Sequence, residues 1–265
     1  SLYNVFKYQY ESNITGLTEG LHNFTGHVVD KAGNHNQTLM REVAINGTKW
    51  CGNITEPGSY AQLDDIDVSE FGVGADEACI DFSADDIAFD MSGYHIDRDL
   101  EGLHGSSDGK GFYAKGRQNI TIENSGSKGA GASFIEDFSS GNIVFQNVNH
   151  SRIDNIAVLY LNGLLLDNSH NITVGDSAFE SGTYGINFVA STNNTINNIE
   201  TDSNSDAGIY MDGDSDWNTF YDLYLHDDED CIQVASSYNR FFNTRCEDAL
   251  AGIEDSGGEN NYTGG

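Results

Sequence analysis

The stretch "DCIQV" (230–234) has three counterparts in the chain, "YGINF" (184–188), "AGIYM" (207–211) and "AGIED" (251–255). Their second residues are 23, 23 and 21 positions apart, as measured at Gly185, Gly208, Cys231 and Gly252. An asparagine-led stretch recurs in step, at positions 119, 142, 171, 194, 218 and 239. Short β-branched and aromatic runs lie between turn residues, as in strands separated by turns. The second half of the chain is therefore a β-rich repeat.

A period of roughly 22 residues is too short for a propeller blade, and it lacks the leucine pattern and helix of leucine-rich repeats. It fits one coil of a right-handed parallel β-helix, so we predict an all-β solenoid of about eight coils over residues 47–265. Equivalent residues should stack about 4.8 Å apart along the axis. Two inward ladders are predicted: Val174, Ile196, Phe220 and Phe241, and Ile186, Ile209, Ile232 and Ile253. The asparagine-led positions should form a structural ladder at a corner.

The composition restricts the partners of the protein. The chain has 265 residues with 42 acidic and 12 basic side chains, which gives a formal net charge of −30. Such a charge argues against nucleic acids and anionic membrane surfaces as partners, because phosphates would be repelled. The longest nearly apolar run (156–166) is interrupted by Asn162 and Gly163 and is too short to span a bilayer. We therefore expect no membrane span in this chain.

Ten N-x-[ST] triplets indicate an extracellular, glycosylated protein. The 27 asparagines and 39 serines and threonines would give about four such triplets by chance. The alternative is that Asn-Ile-Thr merely suits the start of a strand. Four cysteines are compatible with two disulfides in an oxidising compartment. The predicted glycosylation sites are Asn13, Asn23, Asn36, Asn46, Asn53, Asn119, Asn149, Asn171, Asn193 and Asn261.

The stretch "HDDEDCI" (226–232) holds four consecutive acidic residues. When successive coils are aligned, one edge of the solenoid should carry an acidic residue in each coil. These residues are Glu180, Asp202, Asp227 or Asp228, and Glu247. Stacked carboxylates repel one another unless a cation bridges them, and oxygen ligands in irregular turns suit Ca²⁺. A solvated acidic turn without an ion is the alternative. With the alternating acids of "DGDSDWN" (212–218), the predicted Ca²⁺ ligands are Asp202, Asp206, Asp212, Asp214, Asp216, Asp227, Asp228 and Asp230.

The segment from residue 51 to residue 99 resembles the opening of NosD-like and related archaeal surface β-helix proteins. The likeness rests on "CGNITEPGSY" (51–60), "CIDF" (79–82) and "DMSGYHI" (90–96). It implies the β-helix fold from about residue 50 to residue 263, with a Cys51–Cys79 disulfide at the N-terminal coil. Copper handling, which the likeness also suggests, is the weaker hypothesis, because eight histidines are scattered and three methionines form no cluster.

Residues 1–46 differ from the repeat. The stretch "GLTEGLHNFTGHVVDKAGNHNQT" (16–38) resembles the last strands of an immunoglobulin-like or fibronectin-like domain. Such a sandwich normally takes about 100 residues and seven strands, so residues 1–46 are predicted to be a partial immunoglobulin-like segment. A small β cap on the solenoid is the alternative.

A second resemblance concerns chemistry. The stretches "SDAG" (205–208), "EDCIQVASS" (229–237) and "CEDALAG" (246–252) are similar to polygalacturonase-type glycoside hydrolases. The likeness implies a Cys231–Cys246 bridge and a catalytic set of Asp206, Glu229 and Asp230, in which one acid protonates the leaving oxygen and the others activate water. The sequence departs from that family because Leu250 replaces a histidine, Glu229 replaces an aspartate and no Arg-x-Lys strand follows.

Three functions follow from these observations. The leading hypothesis is a non-enzymatic extracellular module of a surface layer, sheath or filament, which binds copies of itself. The alternative is a carbohydrate-active enzyme, or a module that binds glycans. Copper handling is third.

Overall fold

The structure is a computed structural model. It describes residues 51–68, 71, 73–74, 76–97, 109–124 and 134–264, together with the backbone of four strands before residue 51. The chain divides into two compact units, Ser1–Asn46 and Gly47–Gly265. In the first unit, β1 pairs with β4 and β2 pairs with β3, both antiparallel. Most of the stretch that resembles an immunoglobulin-like domain lies outside the described residues.

The described secondary structure consists almost entirely of β-strands, and within it no helix is long and apolar enough to cross a membrane. The strands are β1 (Gly20–Phe24), β2 (His27–Val29), β3 (His35–Gln37), β4 (Arg41–Thr48), β5 (Gly52–Ile54), β6 (Gly58–Gln62), β7 (Ile66–Asp67), β8 (Ala78–Phe82), β9 (Ile87–Asp90), β10 (Ile96–Asp97), β11 (Lys110–Lys115), β12 (Ile120–Glu123), β13 (Ile135–Glu136), β14 (Ile143–Gln146), β15 (Arg152–Asp154), β16 (Ala157–Leu161), β17 (Leu164–Asp167), β18 (Thr173–Gly182), β19 (Tyr184–Val189), β20 (Thr195–Asp202), β21 (Ala207–Met211), β22 (Thr219–His226), β23 (Asp230–Val234), β24 (Arg240–Glu247), β25 (Ala251–Asp255) and β26 (Asn261–Thr263).

The second unit is a parallel β-helix with three sheets, as the repeat predicts. Sheet A consists of β5, β8, β11, β14, β17, β19, β21, β23 and β25. Sheet B consists of β6, β9, β12 and β15, the first halves of β18, β20, β22 and β24, and β26. Sheet C consists of β7, β10, β13 and β16, and the second halves of the same four long strands. Each coil therefore visits A, B and C in turn, and the described part contains eight full coils and two further strands.

The two predicted inward ladders are present. Val174 pairs with Ile196, which pairs with Phe220 and then Phe241, and all four are buried. In sheet A, Ile186, Ile209 and Ile232 are likewise stacked and fully buried. The prediction for Ile253 is wrong, because this side chain is 40% exposed. Its strand β25 pairs with β23 on one side, and no described strand lies on the other.

A corner column of left-handed residues separates sheet A from sheet B. Its members have φ between 49° and 62° and follow one another by strand register: Asp86, Asn119, His150, Asn171, Asn193, Trp217, Tyr238 and Glu259. Asparagine tolerates this conformation better than most residues.

The predicted asparagine ladder is correct at Asn194, Asn218 and Asn239, each of which accepts a backbone N–H from the preceding coil. Asn119 and Asn171 instead occupy the exposed corner column, and Asn142 immediately precedes the sheet A strand β14.

Both disulfides have formed. Cys51 is bonded to Cys79, and Cys231 is bonded to Cys246. Cys231 is fully buried. The Cys231–Cys246 disulfide links the start of the sheet A strand β23 to the end of β24, which follows it in the chain and ends in sheet C. The pairing implied by the two resemblances is therefore present, and it favours an oxidising compartment.

Candidate functional site

The acidic stretch forms the turn from sheet C to sheet A. His226 ends β22, Asp227 takes a left-handed φ of 55°, and Asp230 begins β23. A left-handed residue changes the direction of the chain, so the simple in–out alternation of a strand does not continue through the turn. The consecutive carboxylates therefore point into different surroundings.

His226 occupies the edge position that we predicted for Asp227 or Asp228. The register places Glu180, Asp202, His226 and Glu247 in one row along sheet C. His226 Nε2 lies 3.0 Å from Glu200 Oε1, and Nδ1 lies 3.1 Å from Asp227 Oδ2 and 3.5 Å from Asp202 Oδ1. The imidazole thus stands among three carboxylates.

These carboxylates favour the protonated imidazole. Burial by itself lowers the pKa of His226, but the hydrogen bonds to Glu200 and Asp227 and the charge of Asp202 outweigh burial and raise it. Among the described residues, Asp202, His226 and Asp227 alone bring three ligand atoms within 4.8 Å of one another. A metal would need the neutral imidazole, so it would compete with the proton for His226. The predicted ligands Asp202 and Asp227 thus do meet, with the His226 imidazole between them.

Asp228 is not at this surface, which contradicts its place among the predicted metal ligands. Its side chain is 1% exposed and lies inside the corner. Oδ1 accepts the Asn204 backbone N–H at 2.9 Å and the Asn204 amide at 2.8 Å, and Oδ2 accepts the Thr201 hydroxyl at 2.6 Å. Burial raises the pKa of Asp228, although these hydrogen bonds oppose the shift. Asp228 therefore fills the structural position that Asn204 fills one coil earlier, where Asn204 accepts the Gly182 N–H.

Asp206 and Asp230 meet on the outer side of sheet A. The Gln233 amide donates to Asp206 Oδ1 at 3.0 Å and to Asp230 Oδ2 at 2.6 Å. A hydrogen bond from Tyr184 to Asp206, together with burial, raises the pKa of Tyr184 to about 12. The Tyr184 ring lies 5.0 Å from that of Tyr210. The structure therefore brings together two of the three residues that the hydrolase resemblance implies.

Glu229, the third residue of that set, is exposed, and no described side-chain hydrogen bond joins it to Asp206 or Asp230. Leu250, at the position of the missing histidine, is 86% exposed. Next to the carboxylate pair, a groove of about 530 Å³ is lined by Tyr210, Gln233 and Glu254 among others. The outer side of sheet A is thus a polar and aromatic surface beside a groove.

The predicted calcium loop at residues 212–218 serves as a structural turn. Asp212 accepts the Ala190 N–H at 3.0 Å and the Ser215 hydroxyl at 2.6 Å, and Asp216 accepts the Ser237 N–H at 2.7 Å. Asp214 is exposed. These three carboxylates do not converge on one point within the described structure, which contradicts the prediction of a second ligand cluster.

Sequence reasoning missed several members of these sites. Tyr184, Tyr210 and Gln233 join the carboxylate pair only through strand register, although Tyr184 stands directly before Gly185 in the repeat.

Sequence reasoning also missed a buried acidic group in the early coils, where Asp97 and Asp137 are each 3% exposed and Glu136 is 8% exposed. Burial, followed by the charges of Asp97 and Asp137, raises the pKa of Glu136 to about 8.

The structure separates the predicted glycosylation sites into classes. Asn53, Asn119, Asn171, Asn193 and Asn261 are exposed, and Asn149 is half-buried. The side chains of Asn13, Asn23, Asn36 and Asn46 lie outside the described residues.

Comparison with known proteins identifies the family. No curated protein matches the chain. Among solved structures, the A-module of mannuronan C-5 epimerase AlgE4 from Azotobacter vinelandii is similar, with 9% identity, a TM-score of 0.34, and coverage of 76% of this chain and 80% of that chain. Residues 91–263 match the family model described as "Periplasmic copper-binding protein (NosD)". Because this match extends over more than half of a chain that folds as a parallel β-helix, the protein belongs to the NosD family.

Proposed function

We propose that the chain is an extracytoplasmic structural module of a cell-surface layer, sheath or filament, and that it assembles with copies of itself. Two disulfides and the periplasmic description of the family support a place outside the cytoplasm. The net charge of −30 supports a screened, salt-rich medium. A stacked solenoid held by backbone ladders is well suited to a mechanical role, since each coil is fixed by its neighbours.

The observation that carries this proposal is an apolar sheet edge at the last coil. Leu250 is 86% exposed, Ile253 is 40% exposed and Tyr262 is 39% exposed. β25 and β26 each pair with an earlier strand on one side, and neither has a described strand on the other. A strand edge that carries apolar side chains is a template for a further strand. If a second copy docks there head to tail, the contact is heterologous and extends into a filament or sheet.

Analytical ultracentrifugation and electron microscopy of the purified protein test this proposal. Ile253→Lys places a charge at the edge and should abolish assembly. Tyr221→Lys is the matched control, because Tyr221 is 39% exposed but lies on the outer side of sheet B. A wild-type protein that stays monomeric at every concentration would overturn the proposal, as would equal loss of assembly in both variants.

Calcium is a further part of this proposal, as a stabilising ion on the acidic row of sheet C. Asp202 and Asp227 offer oxygen ligands within 4.8 Å of each other. Glu200 lies on the other side of His226. Ca²⁺ takes six to eight oxygen ligands, so water molecules would complete its shell. The carboxylates that would bind Ca²⁺ also favour the protonated imidazole of His226, so the ion and the proton would compete for them.

A second candidate function is the binding or cleavage of glycans on the outer side of sheet A. It is favoured by the Asp206–Gln233–Asp230 arrangement beside the Tyr184–Tyr210 pair. Amides and carboxylates bind sugar hydroxyls, and a pair of carboxyl groups is the catalytic set that most glycoside hydrolases use. Release of reducing sugar that is lost in Asp230→Asn, but kept in Asp222→Asn at an exposed position of β22 outside the groove, would support hydrolysis. Binding without release in the wild type would support a glycan-binding module.

Copper binding, which the family description names, does not fit the described residues well. All four cysteines are in disulfides, and Met91 and Met211 are fully buried in the core. Soft thiolate and thioether ligands are those that Cu(I) prefers. Within the described part of the chain, one cluster of converging ligand atoms contains an imidazole, namely Asp202, His226 and Asp227, and three carboxylates there favour the protonated histidine. We therefore assign no copper chemistry to the described residues.

A further inference from the structure

The corner column between sheets A and B carries several of the exposed N-x-[ST] triplets. Asn119, Asn171 and Asn193 belong to this column, and each is exposed with a left-handed φ of 56° or 57°. Successive coils are about 4.8 Å apart, so Asn171 and Asn193 are neighbours in adjacent coils. Asn119 lies two coils before Asn171, with His150 between them. Three acceptor asparagines thus share one edge of the solenoid.

The hydroxyl residue of each triplet is also accessible at this edge. Thr121, Thr173 and Thr195 follow their asparagines by two positions, and all three are partly exposed. The triplet at Asn149 is different, because Ser151 is 5% exposed. Its hydroxyl accepts the Ile120 N–H at 2.9 Å and donates to the Asn149 carbonyl at 3.0 Å. An enzyme that must contact both residues of the triplet can therefore reach the corner column but not Asn149.

Of the three asparagines, Asn193 has the most weakly bonded side-chain amide. Asn119 Nδ2 donates to Asp86 at 2.7 Å, and Asn171 Nδ2 donates to Asn149 Oδ1 at 2.8 Å. Asn193 Nδ2 makes a longer contact of 3.3 Å, to Thr192 Oγ1. Two glycans about 4.8 Å apart would collide, so occupancy of Asn193 would exclude Asn171 on the same molecule.

Trp217 offers a surface for a sugar attached at Asn193. It occupies the next position of the column, is 53% exposed, and stacks on Tyr238 with ring centroids 4.4 Å apart at 8°. Because one face of Trp217 covers Tyr238, the other face is directed toward the preceding coil, which holds Asn193. Bulky side chains are uncommon at left-handed positions, and Trp217 and Tyr238 are the two aromatic residues among the eight members of the column. The apolar face of a pyranose ring matches the open indole face.

We propose that the corner column is the glycosylated edge of the protein, that Asn193 is its principal site, and that the first sugar at Asn193 packs against Trp217. This inference rests on the proposed extracytoplasmic location. The donor would be a lipid-linked oligosaccharide phosphate. Its bond from C1 to the phosphate oxygen breaks, a bond from C1 to Asn193 Nδ2 forms, Nδ2 releases one proton, and the lipid phosphate leaves.

Mass spectrometry of intact glycopeptides from the protein of its native source tests the assignment. Asn193 should be modified, Asn119 should be modified on some molecules, and Asn149 should be unmodified. Asn193 and Asn171 should not both be modified on one molecule. A glycan on Asn149 at an occupancy similar to that of Asn193 would overturn the inference. An unmodified Asn193 would overturn it as well.

A double-mutant comparison tests the contact with the indole. Trp217→Ala should lower the melting temperature by several degrees more in the glycosylated protein than in an Asn193→Gln background. Tyr221→Ala, in a different column, should have the same effect in both backgrounds. Equal effects of Trp217→Ala in the two backgrounds would refute the packing of sugar on Trp217. Assembly of the Asn193→Gln protein, followed separately by electron microscopy, distinguishes failure of this inference from failure of the proposed structural role.

Discussion

Asp228 provides a direct test of the view that part of the acidic stretch is interior structure. Replacement with alanine removes the acceptor of three hydrogen bonds, from the Thr201 hydroxyl, the Asn204 backbone and the Asn204 amide. Hydrogen bonds to a charged group contribute about 1.5–3 kcal/mol each, and buried donors without a partner add their desolvation cost. The effects within one network are not additive, so we expect Asp228→Ala to lower the free energy of unfolding by about 3–5 kcal/mol.

Asp228→Asn is the matched variant. Its Oδ1 can accept both Asn204 donors, as Asn204 Oδ1 itself accepts the Gly182 N–H one coil earlier, and its Nδ2 can donate to the Thr201 hydroxyl oxygen. We expect a change within about 1 kcal/mol, because geometry is kept and a buried charge is removed. Urea denaturation followed by circular dichroism measures both variants. The reasoning is refuted if alanine costs less than about 1 kcal/mol, or if asparagine destabilises the protein as much as alanine does.

Three further predictions concern the disulfides, the buried acids and calcium. Replacement of both Cys231 and Cys246 by serine should lower the free energy of unfolding by about 3 kcal/mol, because the disulfide closes a loop of 15 residues. Denaturation under non-reducing conditions measures this loss, and an unchanged stability would contradict the prediction. The Glu136 pKa is about 8 in the folded state against 4.5 for a solvated glutamate, so its stabilising contribution is complete below about pH 4.5 and is lost as the pH rises through about 8. Relative to wild type, the free energy of unfolding of Glu136→Gln should therefore rise by up to about 5 kcal/mol across that pH range, at about 1.4 kcal/mol per pKa unit. A difference in stability between the two proteins that does not change with pH would disprove the buried acid. At equal ionic strength, millimolar Ca²⁺ should raise the melting temperature of the wild type and of the control variant Glu254→Gln. It should not raise that of the double variant Asp202→Asn/Asp227→Asn. An equal rise in all three proteins would exclude this site.

The repeat made the fold predictable from the sequence. A period of roughly 22 residues leaves few architectures. In-register stacking then forces residues at equal positions of successive coils into one ladder. Val174, Ile196, Phe220 and Phe241 could be placed in the core because alternation along a strand decides which side chains face inward. The cysteine pairs followed from family resemblance rather than from spacing.

The corners were decided by tertiary structure. The sequence could not show whether Asp227 or Asp228 belongs to the exposed row, and His226 holds that place instead. Asn171 and Asn194 begin similar motifs, yet one is exposed and the other is buried. Most of the described corners contain a residue with positive φ, which resets the in–out alternation, and its exact position in the chain determines the direction of the side chains that follow. Adjacent carboxylates in "HDDEDCI" therefore lie in the interior or at the surface according to a backbone angle that composition and periodicity do not encode.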